Sequence, residues 1–169
     1  MSGRAHLEGR AWLFGDHVDT DGIIPVCYCT TSRREELGPH AMSGVAPGFA
    51  AQIALGDFIV AGCNFGCGSS RENAPLALLG AGVGGVVASS FGRIFYRNSI
   101  NVGLPIFEAT EAAARCVQGD LLRVRMEEGV LENVTRGITF TFAPYPRRVA
   151  EIIEAGGLVD YVRRRLGKP

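Results

Sequence analysis

Apolar and polar positions fall in short blocks along this chain. Residues 10–14 (Arg-Ala-Trp-Leu-Phe) form an apolar run that ends in the polar stretch "GDHVDTDG", the pattern of a first strand running into a loop. After Ile23-Ile24-Pro25 and "CYCTT", a short helix is predicted to start at Ser32, with Glu35 completing a capping box, and to stop near Gly38-Pro39. The middle then alternates. Residues 57–61 read as a strand, 62–73 as a loop, 74–79 as a helix, 83–88 as a continuously apolar strand and 91–101 as a second helix, ahead of a short segment at 104–107. Apolar strands separated by helices predict an α/β core with at least one parallel crossover, because only strands covered on both faces can be apolar throughout.

Beyond this core, "GDLLRVRMEEGVLENVTRGITFTF" contains strand-like runs broken at Glu128-Gly129 and Arg136-Gly137, the pattern of an antiparallel meander. In the tail, Val149, Ile152, Ile153, Val159, Val162 and Leu166 are spaced for two short amphipathic helices broken at Gly156-Gly157. No internal repeat, low-complexity tract or linker divides the chain, so residues 1–169 are expected to form one domain.

Composition narrows the function classes. Lys plus Arg and Asp plus Glu number 17 each, so no net charge favours nucleic acid or an anionic membrane, and small molecules or protein partners are the expectation. The opening residues lack the apolar core of a signal peptide and no run approaches the length of a membrane span, which predicts a soluble, cytoplasmic protein. Five cysteines, an odd number, argue for free thiols rather than a closed disulfide framework.

The chemistry concentrates in "GCNFGCGSSREN", residues 62–73, which admits three readings. Cys63 and Cys67, with Cys27 and Cys29, offer four thiolates to a metal. Yet Cys27-Tyr28-Cys29 on an extended chain would point its sulfurs to opposite faces, and lone cysteines usually serve as small buried hydrophobes. Gly62, Gly66 and Gly68 ahead of a helix suit an anion, but neither the Walker lysine nor the third glycine of a dinucleotide fingerprint is in register. In the third reading, Ser69 to Glu72 is either a capping box or a functional loop. Pro75 pushes the start of the regular helix later, which leaves Ser69, Ser70 and Arg71 just ahead of a helix N-terminus. There a serine oxygen can carry negative charge near backbone donors while Arg71 grips a carboxylate with its planar fork.

Three stretches, "DHVDTDGIIP" (16–25), "GDFIVAGCNFGCGSSREN" (56–73) and "SSFGRIFYRNSINVGLPIFE" (89–108), with a weaker match at Gly119-Asp120, resemble one known family. This is the small subunit of the isopropylmalate isomerase and homoaconitase group, itself similar to the swivelling C-terminal domain of aconitase. The resemblance implies a three-layer β/β/α swivelling domain. It also implies dehydration and rehydration of a hydroxy di- or tricarboxylate through a cis-unsaturated acid, by a hydro-lyase active only with a large subunit in a heterodimer or heterotetramer. The large subunit would carry the 4Fe–4S cluster, with no cofactor or metal on this chain. Neither nucleic acid nor membrane is an expected partner.

By motif position the resemblance makes Ser69 the catalytic base, an alkoxide, with Arg71 on a substrate carboxylate, Ser70 contributing through its backbone or hydroxyl, and Asp21 at the site edge. An alkoxide needs cationic and N–H neighbours in a closed site, which Arg71 and the helix start can supply. Arg93, Arg97, Asn98 and Asn101 are expected to bond loops or to meet the large subunit, while Asp16 and Asp19 bond turn amides. The family's specificity loop is here Tyr28, Cys29, Thr30 and Thr31, and Thr30 stands where an arginine would suit the extra carboxylate of homoaconitate and an apolar residue the isopropyl group of isopropylmalate. The expectation leans to isopropylmalate and leucine biosynthesis. Homoaconitate (lysine biosynthesis), a 2,3-dimethylmalate-type diacid and a broad-specificity enzyme are the alternatives within the family, and a stand-alone dicarboxylate-binding module or a thiol or metal module using the cysteines are those outside it.

Overall fold

The computed structural model describes residues 6–167. Its strands are β1 (Leu7–Leu13), β2 (Phe58–Ala61), β3 (Gly85–Ala88), β4 (Ile106–Glu108), β5 (Leu121–Arg125), β6 (Val130–Asn133) and β7 (Ile138–Thr141). The helices are α1 (Thr20–Ile23), α2 (Arg34–Leu37), α3 (Phe49–Gln52), α4 (Asn73–Ala81), α5 (Arg93–Val102), α6 (Thr110–Arg115), α7 (Arg147–Ala155) and α8 (Leu158–Arg165).

The strands join in the order β4-β3-β2-β1-β5-β6-β7. β1 serves two sheets at once: Ala11, Trp12 and Leu13 pair parallel with Phe58, Ile59 and Val60, whereas Leu7 to Arg10 pair antiparallel with Val124 to Leu121. β2 and β3 are buried along their whole length, so their alternate side chains feed two cores. One face gives Ile59, Ala61, Val86 and Ala88 to a core with Leu37, Phe49, Ala77, Leu78 and Phe95 from the helical side. The other gives Phe58, Val60 and Val87 to a core with Leu122, Val124, Leu131 and Phe140 of the meander. Helices, parallel strands and curled antiparallel strands thus stack as the expected β/β/α layers.

The tail breaks where expected, with Gly156 and Gly157 at φ +92° and +124° between α7 and α8. Two local expectations need correction, and one helix was not expected. The helix predicted from Ser32 begins at Arg34, with Arg33 as N-cap and no side-chain cap bond, so the Ser32–Glu35 capping box does not form. Val26–Tyr28 is a 3-10 turn, not an extended chain, because Tyr28 and Cys29 donate their backbone N–H groups to Pro25 and Val26. α6, at Thr110–Arg115, carries too few large apolar residues to have shown a period. Among the described residues no helix is long and apolar enough to cross a membrane.

Candidate active site

Because β1, β2 and β3 run parallel, their carboxyl ends lie at one end of the sheet, where an open α/β fold presents ligands. The loops that leave those ends stay paired. Gly62 donates to the Gly15 carbonyl, His17 to Cys63 at 2.8 Å, Gly66 to Val18 at 2.7 Å and Thr20 to Cys67 at 2.9 Å, while Phe65 and Gly92 donate to the Ser90 and Phe65 carbonyls. This extension of the ladder demands close backbone approach. At Gly66, φ is +78° and a Cβ would collide with the Phe95 ring, so no larger residue fits there. Asp16 and Asp19 act as read from the sequence: Asp16 accepts from the Cys63 amide and Asp19 from the Gly22 amide, both at 2.7 Å.

At the open tip of this ladder, Ser69 and Ser70 are exposed, ahead of α4. Glu72 occupies the α4 N-cap position without a side-chain bond, so the alternative reading of Ser69–Glu72 as a capping box is not realised, and Pro75 falls in the first turn as argued. The Ser69 amide donates to the Thr20 hydroxyl at 3.1 Å. Thr20 is only 2% exposed, and Gly68 approaches it so closely that a Cβ would lie 3.3 Å from Thr20 Oγ1. A buried hydroxyl therefore fixes the backbone of Ser69. The same bond removes the Ser69 N–H from the set of donors that could stabilise a Ser69 alkoxide.

Arg71 reaches back across the loops. Its Nη1 donates to Asp21 Oδ1 at 2.6 Å and to the Ile24 carbonyl at 3.2 Å, and its side chain is 15% exposed against 64% for Asp21. One nitrogen is thus committed to the protein. Among the described residues Nε and Nη2 have no partner, which leaves that edge of the guanidinium for a planar anion. Two residues on, Asn73 Nδ2 donates to the Thr31 carbonyl at 2.7 Å.

The Tyr28–Thr31 loop wraps this arginine. Cys29 Sγ lies 3.6 Å from the Pro25 carbonyl and 4.0 Å from that of Ile24, the group Arg71 also holds. Burial pushes the Cys29 thiol up; the nearby guanidinium of Arg71 opposes this, and the acidic groups Asp21 and Cys27 add to it. Tyr28 stacks on His40 with ring centroids 3.8 Å apart and planes within 7°. Thr30 is exposed, and its hydroxyl makes no hydrogen bond among the described residues.

The structure therefore brings Ser69, Arg71, Asp21 and the Tyr28–Thr31 loop to one surface. It does not bring Arg93, Arg97, Asn98 or Asn101 into side-chain hydrogen bonds with these loops among the described residues, contrary to one of the two roles expected for them. Asn101 lies at the far end of α5, beside the Gly156–Gly157 break. Sequence reasoning missed Thr20, Asn73 and the Ile24 carbonyl. Thr20 sat unremarked between two aspartates, and the position of Asn73 at the first residue of α4 became visible only once the helix start was placed.

The surface is also unenclosed. Two grooves, of about 350 and 940 Å³, lie elsewhere, lined by residues such as Arg34, Leu79, Val102 and Gly156, and neither includes Ser69 or Arg71. A serine meant to act as alkoxide would stand in open water here.

Comparison with known proteins decides the family. The 3-isopropylmalate dehydratase small subunit of Moorella thermoacetica is 51% identical over 95% of this chain and 96% of its own length. The chain belongs to the family of 3-isopropylmalate dehydratase small subunits. The isopropylmalate/citramalate isomerase small subunit of Methanocaldococcus jannaschii is 46% identical over 98% of both chains. A crystal structure of 3-isopropylmalate dehydratase from that organism superposes with a TM-score of 0.89 at 42% identity, covering 95% of each chain. The family model of the aconitase C-terminal domain matches residues 51–111, which contain β2, the Ser69–Arg71 loop, α4, β3, α5 and β4.

Among the described residues no three His, Cys, Asp or Glu side chains come close enough to hold a metal ion. The cysteines in particular do not converge. Cys27 and Cys63 are exposed, and Cys116 is buried on the meander side, where Asn133 donates to its sulfur.

Proposed function

We propose that this chain is the serine-bearing half of a two-subunit hydro-lyase that interconverts 2- and 3-isopropylmalate in leucine biosynthesis, in the cytoplasm. The observation that carries the reading is Arg71: a guanidinium held by Asp21 and the Ile24 carbonyl, with Nε and Nη2 unpartnered among the described residues, two positions from an exposed Ser69 whose backbone is anchored on Thr20. A substrate carboxylate on that edge sets the neighbouring carbon toward Ser69. Ser69, as alkoxide, takes the proton from that carbon; the electron pair forms the double bond as hydroxyl leaves the adjacent carbon. Addition of hydroxyl to the other carbon, with return of the proton, gives the isomer. Ser70 lies on the same exposed surface, and Asp21 keeps Arg71 oriented at its edge.

The large subunit closes this open surface, excludes the water that an alkoxide could not survive, and turns the charge of Arg71 into a strong interaction. In this reading that subunit also carries the 4Fe–4S cluster, which would supply Lewis acidity toward the departing hydroxyl. The chain works as one swivelling domain over residues 1–169, paired in a heterodimer or heterotetramer.

Thr30 is the substrate selector in this reading, with Tyr28, Cys29 and Thr31 shaping its loop. Its methyl and hydroxyl accept an aliphatic substituent but offer no ion pair to the third carboxylate of homoaconitate. One relative is named as both isopropylmalate and citramalate isomerase, which favours a range of short aliphatic substituents as a second reading. Reconstitution with the large subunit from the same organism, assayed on 2- and 3-isopropylmalate, citraconate and homoaconitate, tests both. Turnover of isopropylmalate supports the proposal; no turnover with any cluster-bearing large subunit defeats it and leaves a dicarboxylate-binding module.

A further inference from the structure

The segment from Asp21 to Thr31 is clipped to the Ser69–Asn73 segment at both ends. At one end Arg71 Nη1 holds Asp21 and the Ile24 carbonyl; at the other Asn73 Nδ2 holds the Thr31 carbonyl at 2.7 Å. Between the clips the Tyr28–His40 stack and the packing of Cys29 against the helical-side core hold the first part of the segment, and Thr30 to Ser32 are held by less. The amides of Tyr28 and Cys29 close the 3-10 turn, but among the described residues the backbone N–H groups of Thr30, Thr31 and Ser32 have no protein acceptor. The Arg33 amide finds just the Thr31 hydroxyl two residues back, at 3.1 Å. The Asn73 bond is thus the tertiary hydrogen bond that sets how far Thr30 stands from the edge of Arg71.

We infer that Asn73 is a specificity-positioning residue: by holding the Thr31 carbonyl it fixes the wall of the substituent pocket that Cys29 and Thr30 form beside Arg71. This rests on the proposed function for the meaning of the pocket, but not for the geometry of the clip. A substrate carboxylate on Arg71 leaves its substituent facing the segment wrapped around that arginine, since Cys29 Sγ and Arg71 approach the same Ile24 carbonyl. At the Thr30–Thr31 end, where this is the tertiary hydrogen bond to the backbone, the wall has a defined position; without the bond that end can move and accept other substituents. An ordinary hydrogen bond of this kind corresponds to roughly a tenfold change in a discrimination ratio.

Asn73→Asp separates this role from a structural one. The side chain keeps its shape, and a carboxylate in the first turn of α4 favours the helix, but it has no N–H to give and faces the Thr31 carbonyl with like charge. In the complex with the large subunit, Asn73→Asp is expected to lower the ratio of kcat/KM for 3-isopropylmalate over a methyl-substituted malate about tenfold, expressed in KM more than in kcat. Asn73→Gln, which keeps a donor, is expected to recover part of the ratio. Hydrogen exchange of the chain itself is expected to speed up over residues 29–33 in Asn73→Asp and not over β2 or β3. A wild-type substrate ratio, or unchanged exchange over 29–33, overturns the inference alone. If the wild-type complex turns over neither substrate, the proposed function fails, and the substrate-selection role of Asn73 falls with it.

Discussion

Replacing Arg71 by lysine keeps the positive charge and most of the aliphatic stem, so what it removes is geometry. Arg71 divides its fork: Nη1 serves Asp21 at 2.6 Å and the Ile24 carbonyl at 3.2 Å, and the remaining edge is free for the substrate. A single ammonium cannot hold the Asp21 and Ile24 oxygens and also meet both oxygens of a substrate carboxylate in plane. At least one charge-assisted hydrogen bond to the substrate is lost, about 1.5–3 kcal/mol, which corresponds to roughly a 10- to 150-fold drop in kcat/KM. Stability should barely follow. Asp21 is 64% exposed, so the ion pair belongs with surface pairs worth about 0–1 kcal/mol, and the melting temperature is expected to shift by no more than about 4 °C. Steady-state kinetics of the reconstituted enzyme, set beside thermal unfolding of the isolated chain, separates the two. An Arg71→Lys variant with kcat/KM within about threefold of the wild type refutes the assignment of the substrate carboxylate to this arginine.

Other expectations follow from the supporting contacts. Thr20→Val removes the acceptor of the Ser69 amide while keeping the buried shape; kcat should fall about 10- to 100-fold with Thr20→Ser restoring it, and equal kcat in all three proteins would remove Thr20 from the positioning of Ser69. Asp57, 6% exposed, accepts from the Arg10 amide, the Trp12 indole and the Ala54 amide at 2.9–3.0 Å, so Asp57→Ala strands three donors at the root of β2 and should cost about 3–6 kcal/mol in urea unfolding. Burial raises the Asp120 pKa, but the bonds from Asn133, the Val117 amide and Arg136 outweigh it, and the net shift is downward. A carboxylate depressed in the folded state stabilises above its unfolded value of about 4 and loses that contribution as pH falls through the lower folded value. Asp120→Asn should therefore flatten the acid limb of stability against pH, and an unchanged limb would contradict this.

Much of the fold was legible because the buried strands are apolar throughout and turn residues punctuate the meander. β2, β3 and the two tail helices lie within a few residues of where the pattern places them. The double duty of β1 was not legible. Nothing in residues 7–13 distinguishes the half that pairs with β5 from the half that pairs with β2, since that choice is made by the partners. The Ser32–Glu35 box does not form either: α2 starts at Arg34 without a side-chain cap and packs on α4, a tertiary contact that leaves no mark in the local residue pattern.

At the site, the types of residue announced themselves and their connections did not. Ser69 and Arg71 stand out in a short motif, but Asp21 and Ile24 reach Arg71 across about fifty positions of sequence, as Thr20 reaches Ser69. Conspicuous cysteines drew attention to a metal, whereas the inconspicuous Thr20 and Asn73 turn out to hold the loop in place. Hydrogen bonds of long sequence separation to backbone groups leave no pattern in the residue types they join.

The central claim is that Ser69 takes the substrate proton. It is tested most directly by exchange of the α-proton of isopropylmalate with deuterated water in the complex of the large subunit with Ser69→Ala. Exchange is expected to fall by roughly 10²–10⁴-fold or more while the two subunits still associate. Wild-type exchange in the Ser69→Ala variant would contradict it and move the base to the other subunit.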